Sequence, residues 1–504
     1  MLKIRRALIS VWDKHGIIDL AKHLKSMNVD IISTGKTASL LRKSGVTAKD
    51  ISSITNFPEI LSGRVKTLHP KVFGAILANK KHPLHLEEIK KMEIEPIDMV
   101  VVNFYPFKKM LEENVSFSQM LEYIDIGGPS LLRAGAKNFR NIACVSSVSQ
   151  YKPIIEEIEK NKGCISEQTL RELACDVFRL TKEYDSYIYS YLKSREVLIW
   201  NLEKITKLRY GENPHQKAKL FRLINGDRAV FKQLQGKRIS YNNLLDLDTA
   251  RALTKEFSEP AAAVIKHLSP CGVAIDKNIH KAYYKAYKAD ALSSFGGIVG
   301  LNRKVDKKTA REIIKSGFRE CIIAPGYSKE SLRIFSEKKN LRVIEVDFNK
   351  KVNLKEVKRT SFGYLVQDPD AISFDKNNLK VVTQKKPTAK ETKDLLFAWR
   401  VVKFVKSNAV VVAKNLTTLG IGAGQPSRVG AVKIAIANAF KSTKGGVIAS
   451  EAFFPKDDSI KLIKKHGIKA IIQPGGSIMD EKIIELCNKY HIAMVFTGIR
   501  HFRH

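Results

Sequence analysis

Two short words recur in the chain at a single spacing. Gly296-Gly297-Ile298-Val299-Gly300 reappears as Gly445-Gly446-Val447-Ile448-Ala449, and Ile322-Ile323-Ala324-Pro325-Gly326 as Ile471-Ile472-Gln473-Pro474-Gly475, both 149 residues later. Ala262 to His267 is echoed by Ala409 to Lys414 at nearly that distance. Apolar runs of this length, closed by Gly or Pro, read as buried strands. The repeat therefore predicts two similar α/β subdomains in the second part of the chain, about 201–375 and 376–504, each with a central sheet. Paired subdomains tend to hold ligands where they meet.

The first copy contains Ala261 to Ile275. Its apolar run ends in Lys266-His267, and Pro270 and Gly272 are read as breaking the chain after it. A strand ending this way places two basic side chains just past the carboxyl end of a sheet, where α/β proteins bind ligands. A lysine beside a histidine suits proton transfer near neutrality, although a strand end can also carry two basic residues with no chemistry attached.

The N-terminal part shows a different organisation. Arg6 to Val11 reads as a strand, and Ile17, Leu20, Ala21 and Leu24 follow at helical spacing. Val29 to Ser33, Asp98 to Asn103 and Asn141 to Ser146 are further apolar runs. Strand, turn and helix repeated in this way signal a parallel α/β sheet. We read a core over about 1–146 and a helical extension over 147–200. Polar residues gather at the strand ends: Ser10 and Lys14, then Ser33-Thr34-Gly35, then Asn103 and Tyr105. Asp125-Ile126-Gly127-Gly128-Pro129 opens another helix, and Arg64, Lys66 and Thr67 lie in a loop between them. Backbone N–H groups and hydroxyls at helix starts attract anions, so a phosphate-bearing ligand is expected.

The chain carries a net charge of +36 over 504 residues. Its lysines are spread along the whole length without a basic block or an aromatic-basic module, which favours attraction of anionic small molecules over specific nucleic-acid binding. No stretch is apolar enough for a membrane span. Six scattered cysteines without Cys-x-x-Cys give neither a zinc pattern nor a disulfide framework, and we expect a reducing, cytoplasmic setting and no metal. Leu208-Arg209-Tyr210-Gly211-Glu212-Asn213-Pro214-His215-Gln216 is turn-rich and marks a boundary, its side chains pointing either into solvent or into a site. The C-terminal Arg500-His501-Phe502-Arg503-His504 either frays or is held by the strand before it.

These words, together with Val101-Val102-Asn103-Phe104-Tyr105-Pro106-Phe107, Ser293-Ser294-Phe295-Gly296-Gly297, Gly420-Ile421-Gly422-Ala423-Gly424-Gln425 and Ala452-Phe453-Phe454-Pro455, fall in order along the chain. In them the sequence resembles the bifunctional family of purine biosynthesis that joins phosphoribosylaminoimidazolecarboxamide (AICAR) formyltransferase to inosine monophosphate (IMP) cyclohydrolase. The resemblance implies an α/β fold: an N-terminal Rossmann-like, methylglyoxal-synthase-like parallel-sheet domain, 1–200, and a C-terminal transferase unit, 201–504, of two duplicated cytidine-deaminase-like subdomains without their zinc. It also implies 10-formyltetrahydrofolate as formyl donor, AICAR and its formylated product FAICAR as substrates, and a homodimer with the transferase site at the subunit interface.

For formyl transfer the resemblance points to Lys266, His267 and Asn408 as catalytic groups. It points to Arg209, Tyr210, His215, Arg428, Arg500 and His504 on the nucleotide, and to Phe453 and Asp458 on the folate side. For ring closure it points to Lys66, Tyr105, Asp125 and Lys137 as catalytic groups, with N–H groups near Gly127 and Gly128 forming an oxyanion hole. Ser10, Lys14, Ser33, Thr34, Gly35, Arg64, Thr67 and Asn103 would bind the nucleotide. The chain departs from the family pattern at Lys36, where a glycine is usual, and at Lys456, where a phenylalanine is usual.

Overall fold

A computed structural model describes residues 1–194, 197–198, 200–224, 231–350, 355–371, 379–439 and 442–504. The chain separates into two compact units, Met1–Ile199 and Trp200–His504.

The first unit is built on five parallel strands. β1 (Arg6–Val11) is followed by α1 (Ile17–Ser26), β2 (Asp30–Ser33), α2 (Gly35–Lys43) and the short β3 (Lys49–Asp50). β4 (Met99–Asn103), α3 (Gly127–Lys137) and β5 (Ala143–Val145) complete the core. The strand order is β3-β2-β1-β4-β5, with Ala7 opposite both Ile31 and Met99. Central strands of a parallel sheet are covered on both faces. This is why Ala7-Leu8-Ile9 and Val100-Val101-Val102 are apolar without alternation, all of them buried. α1 buries Ile17, Leu20, Ala21 and Leu24, as their spacing predicts. The order reverses beside β1, so the carboxyl ends of β1 and β4 flank a topological switch point, the usual ligand crevice of such sheets.

The extension contains α4 (Tyr151–Lys160) and the 27-residue α5 (Glu167–Lys193), whose N-cap Ser166 accepts from the Thr169 N–H. It is not wholly helical. Cys164–Ile165 pairs with Leu2–Lys3. Just past the extension, the second unit begins with a strand, Leu202–Lys207, that pairs with Lys219–Leu223. The turn-rich Tyr210 to Gln216 segment lies between that strand pair, which is why helical periodicity does not continue through it.

The second unit contains a sheet of twelve strands. In chain order its first half comprises β6 (Phe231–Gln235), α6 (Tyr241–Lys255), β7 (Ala261–Lys266), β8 (Ser269–Ile275), α7 (Ile279–Ala289), β9 (Ile298–Leu301), β10 (Cys321–Ala324) and β11 (Arg342–Val346). The second half comprises β12 (Lys380–Val381), α8 (Ala389–Val402), β13 (Val410–Lys414), β14 (Thr417–Gly422), α9 (Arg428–Ala437), β15 (Val447–Ser450), β16 (Ala470–Gln473) and β17 (Ala493–Phe496). The spatial order is β6-β11-β10-β9-β7-β8, then β14-β13-β15-β16-β17-β12. The second six are the first six in reverse, so the repeat in the sequence is a palindrome in the sheet. The expected separate sheets are one continuous sheet. The expected subdomain boundary at 375/376 lies outside the described residues.

The halves meet at β8 and β14, where Ala274 pairs with Thr417. The Ile275 N–H donates to the Leu416 carbonyl (3.0 Å). Thr418 adds a side-chain rung: its hydroxyl accepts from the Val273 N–H (3.0 Å) and donates to the Val273 carbonyl (3.3 Å).

Two expectations about β7 need correction. Its neighbours β8 and β9 both run antiparallel to it, so Lys266-His267 sits at a hairpin turn and not at the end of a parallel strand. Pro270 and Gly272 do not end the sheet; both lie inside β8. A bulge after Val264 places Pro270 opposite Ile265, and bulges are where a strand accepts proline. Gly272 is there for close approach: a Cβ would collide with the Ala286 carbonyl of α7, and at Gly420 and Gly422 of β14 it would collide with carbonyls of α9.

Candidate active sites

In the first unit the strand-end residues converge. The Ser10 and Thr34 hydroxyls lie 2.7 Å apart, and the buried Ser33 hydroxyl donates to the Ile9 carbonyl (2.7 Å), fixing the ends of β1 and β2. Lys14 donates to the Thr37 hydroxyl (2.8 Å) and to the Val11 carbonyl, which brings its ammonium beside the first turn of α2. Burial, helped by the nearby charges of Lys66 and Lys36, lowers the Lys14 pKa to about 8. Gly35 opens α2, so a helix N-terminus and three lysines address the same space.

On the opposite side is Asp125. Its Oδ1 accepts from the Gly128 N–H (2.8 Å), and a side chain at Gly128 would overlap the carboxylate. Its own N–H donates to the Tyr184 hydroxyl (2.7 Å), which in turn donates to the Tyr123 carbonyl (2.6 Å). Burial raises the Asp125 pKa against the pull of the Gly128 N–H and Lys66. Burial, then Asp125 and Glu59, raises that of Tyr105. Lys66 stands 4.0 Å from Glu59. Thr67 is buried against Gly127. The upward shift brings the Asp125 carboxyl toward the range in which it can exchange a proton, while Tyr105 stays a neutral phenol able to donate a hydrogen bond.

Other expected residues have different positions. Lys137 is in the last turn of α3, ten residues beyond Gly127, and at 1.5 Å rise per residue that is roughly 15 Å along the helix from the Asp125 end. Arg64 is exposed and paired with Glu122. Asn103 is occupied with the backbone: it accepts from the Trp12 (2.6 Å) and Asp13 (2.9 Å) N–H groups and donates to the Asp13 carbonyl (3.0 Å). The Gly128 N–H, expected in an oxyanion hole, is taken by Asp125, while Gly127 remains at the helix start. Glu59 and Tyr184 were not foreseen, since neither stands in a strand-end motif.

In the second unit a cleft of ≈ 430 Å³ opens over the seam between the halves. Lys266 and His267 line it, with Ser269, Pro270 and Cys271 of β8, and Leu419, Gly420 and Ile421 of β14 face them. Asp290 and Ser293 close one side. The Lys266 ammonium donates to the Phe295 carbonyl (3.0 Å). The His267 and Leu268 N–H groups donate to the carboxylate of Asp246 on α6 (3.2 and 2.6 Å). Burial pushes the Cys271 thiol up to about 12, which keeps it from acting as a nucleophile.

Asn408 precedes β13 and is fixed by four hydrogen bonds, one of them from the Gln425 N–H to its carbonyl (3.3 Å). Its N–H and Nδ2 donate to the Gln425 carbonyl (3.0 and 2.7 Å), and its Oδ1 accepts from Arg428 Nη2 (2.8 Å). Gln425 lies two residues beyond Ala423 of the cleft wall. Arg428 does not reach open space: it is 6% exposed, paired with the fully buried Glu451, and donates to the Ala409 carbonyl (3.0 Å). Arg428, expected on the nucleotide, thus has its guanidinium turned inward, onto a buried carboxylate and the Asn408 amide.

The C-terminal tail does not fray. The His501 N–H donates to the Glu451 carbonyl (3.0 Å), its ring bonds Asp370 (2.6 Å), and Ser407 and Arg503 exchange hydrogen bonds (2.9 and 3.0 Å). Arg500 and His504 remain exposed, with the Arg500 guanidinium over Phe502 at 4.2 Å. Phe453 is partly exposed, two residues from Glu451, and Asp458 begins a helix, Asp458–Lys465. Arg209 stacks on Tyr210 (5.4 Å) and His215 is exposed in the preceding loop, which docks on the start of α6 through the Tyr241 N–H and the Tyr210 carbonyl (3.2 Å). Among the described residues no His, Cys, Asp or Glu cluster could hold a metal, and no helix is long and apolar enough to cross a membrane.

Residues 135–438 match the family described as AICARFT/IMPCHase bienzyme, and residues 16–130 match the MGS-like domain. The chain belongs to the AICARFT/IMPCHase bienzyme family. The bifunctional purine biosynthesis protein PurH of Acetivibrio thermocellus is 47% identical across 99% of this chain and 100% of its own. The PurH proteins of Bacillus cereus and Bacillus thuringiensis, at 46% and 45%, cover the same shares. A solved chain titled "Crystal structure of ForH" is 28% identical, covering 38% of this chain and 100% of that one, with a TM-score of 0.35. The bienzyme is thus a bifunctional AICAR formyltransferase and IMP cyclohydrolase of purine biosynthesis, and membership of the family implies a formyl donor of the folate type.

Proposed function

We propose that the second unit transfers the formyl group of 10-formyltetrahydrofolate to the 5-amino group of AICAR, giving FAICAR, and that the first unit closes FAICAR to IMP with loss of water. The observation that carries the transferase assignment is the pairing of Lys266 and His267 in the seam cleft. The amine nitrogen attacks the formyl carbon and must lose a proton; His267 accepts it. The folate nitrogen leaves with a proton supplied by Lys266, which also faces the developing oxyanion. Asn408, held by Arg428 and Gln425, keeps one amide hydrogen to offer the formyl oxygen. Arg209, Tyr210, His215, Arg500 and His504 would address the nucleotide, and Phe453 and Asp458 the folate.

In the ring closure the carboxamide nitrogen attacks the formyl carbon of the same molecule, so orientation supplies much of the rate. Lys14, Ser10, Thr34, Gly35 and Thr67 would hold the phosphate at α2. Lys66 would stabilise the oxyanion, with Asp125 and Tyr105 moving protons during dehydration. Lys137 keeps its place in this proposal only on the strength of the family resemblance.

A homodimer is part of the same proposal. The hairpin Glu356–Gln367 supports it: Phe362, Tyr364 and Leu365 are all well exposed there, the kind of apolar surface that a partner copy covers. A cytoplasmic setting fits the free cysteines. The test is an absorbance assay for tetrahydrofolate and IMP, starting from AICAR and 10-formyltetrahydrofolate. Appearance of both products supports the reading. Folded protein that forms neither, and that does not cyclise added FAICAR, would overturn it.

A further inference from the structure

We propose that Asp246 is a positioning residue for formyl transfer, bracing the turn that carries His267. The proposal rests on the transferase reading of the seam cleft. His267 and Leu268 have φ of 53° and 62°, both left-handed and neither glycine. That conformation is costly for side-chain-bearing residues and persists only where neighbours impose it. Here the neighbour is one carboxylate. Asp246 Oδ2 accepts from the His267 N–H (3.2 Å) and Oδ1 from the Leu268 N–H (2.6 Å). Both oxygens are thus committed to two successive backbone groups, and the first of these carries the imidazole.

The palindromic half repeats the brace without the imidazole. Asp394 of α8 accepts from the Asn415 and Leu416 N–H groups (2.9 and 2.7 Å), and those residues have φ of 52° and 55°. Even the lysine is matched: Lys414 donates to the Lys444 carbonyl (2.9 Å) as Lys266 does to that of Phe295 (3.0 Å). The carboxylate brace is therefore common to both halves, but only in the first does it set a proton-transferring side chain at the mouth of a cleft. Displacing a base by an ångström costs far more in rate than in binding. The molecule thus contains its own control, a turn of the same build that has lost the chemistry.

The experiment compares Asp246→Asn with Asp394→Asn in the full chain. An amide can accept from one N–H but turns its NH₂ toward the other, so each variant loosens one turn. Asp246→Asn is expected to lower kcat for formyl transfer about 10- to 100-fold, with a much smaller change in KM for AICAR and with ring closure of added FAICAR unchanged. Asp394→Asn is expected to lower the melting temperature comparably while leaving that kcat within about twofold of wild type. If both variants lose transfer equally, or if folded Asp246→Asn keeps the wild-type kcat, the positioning role is wrong. Should Asp246→Asn not fold, Asp246→Glu retains the charge and moves it by one methylene; the same kcat loss is expected, and wild-type turnover would overturn the proposal. Wild-type protein without formyl transfer would instead sink the transferase reading on which this rests.

Discussion

Arg428 holds Asn408 by its side-chain oxygen at 2.8 Å while its other nitrogen pairs with the buried Glu451. One guanidinium thereby links a candidate catalytic amide to a carboxylate that has no access to water. Breaking a buried pair from one side leaves a charge uncompensated, at a cost of about 3–5 kcal/mol. Arg428→Met should therefore lower stability by about that amount in denaturant melts, and Glu451→Gln in the same background should recover part of the loss. A stable Arg428→Met protein with weakened AICAR binding alone would show that the arginine serves the nucleotide directly.

Replacing His267 or Lys266 by alanine should abolish formyl transfer and leave ring closure of supplied FAICAR at the wild-type rate. Both side chains face a cleft in one compact unit, and neither is part of that unit's buried core. Loss of both reactions in protein that melts normally would contradict the assignment of one reaction to each unit.

Lys66→Ala should give the opposite pattern. The ammonium stands 4.0 Å from Glu59 and its charge acts on Asp125, and removing an oxyanion donor typically costs 100- to 1,000-fold in kcat, about 2.7–4 kcal/mol. Stopped-flow measurement of FAICAR cyclisation reads this directly, with formyl transfer unchanged.

Lys14 gives a prediction in pH. Its pKa is lowered to about 8 by burial and by Lys66 and Lys36. Above that value the lysine loses the charge needed to hold a phosphate, so KM for FAICAR should rise as pH passes through about 8, approaching tenfold per unit. Stability should move the other way. Between about 8 and the ordinary lysine value the unfolded chain holds a proton that the folded chain has released, so stability increases with pH across that window. Lys36→Ala removes one of the two repelling charges and should shift the KM break to higher pH; an unmoved break would exclude Lys36 from the cluster.

Much of this was legible in the chain because buried strands announce themselves. Ala7-Leu8-Ile9, Val100-Val101-Val102 and the paired Ile298-Val299 and Val447-Ile448 are apolar without alternation, as covered strands must be. The strand-end position of Ser10, Lys14 and Thr34 was legible for the same reason. β8 was not, since Pro270 and Gly272 punctuate a sequence whether they end a strand, sit in a bulge or admit a neighbouring helix. Lys137 stands only twelve residues after Asp125 in the chain, yet the helix Gly127–Lys137 separates the two in space. Asp246 was invisible because a carboxylate that braces backbone N–H groups leaves no pattern in side-chain types. Its only trace is the match to Asp394, 148 residues on, which becomes readable once both turns are seen.

The seam between β8 and β14 has a consequence for how such a chain can be cut. Each half of the palindrome, taken alone, ends in a strand whose outer backbone groups are unpaired, and unpaired strands recruit other chains. In the intact unit the two raw edges cover each other through Ala274, Thr417 and the Thr418 hydroxyl. Duplication has thus made each copy the other's guard against self-association, and a gene fragment encoding one half would yield a protein prone to stick to its own kind.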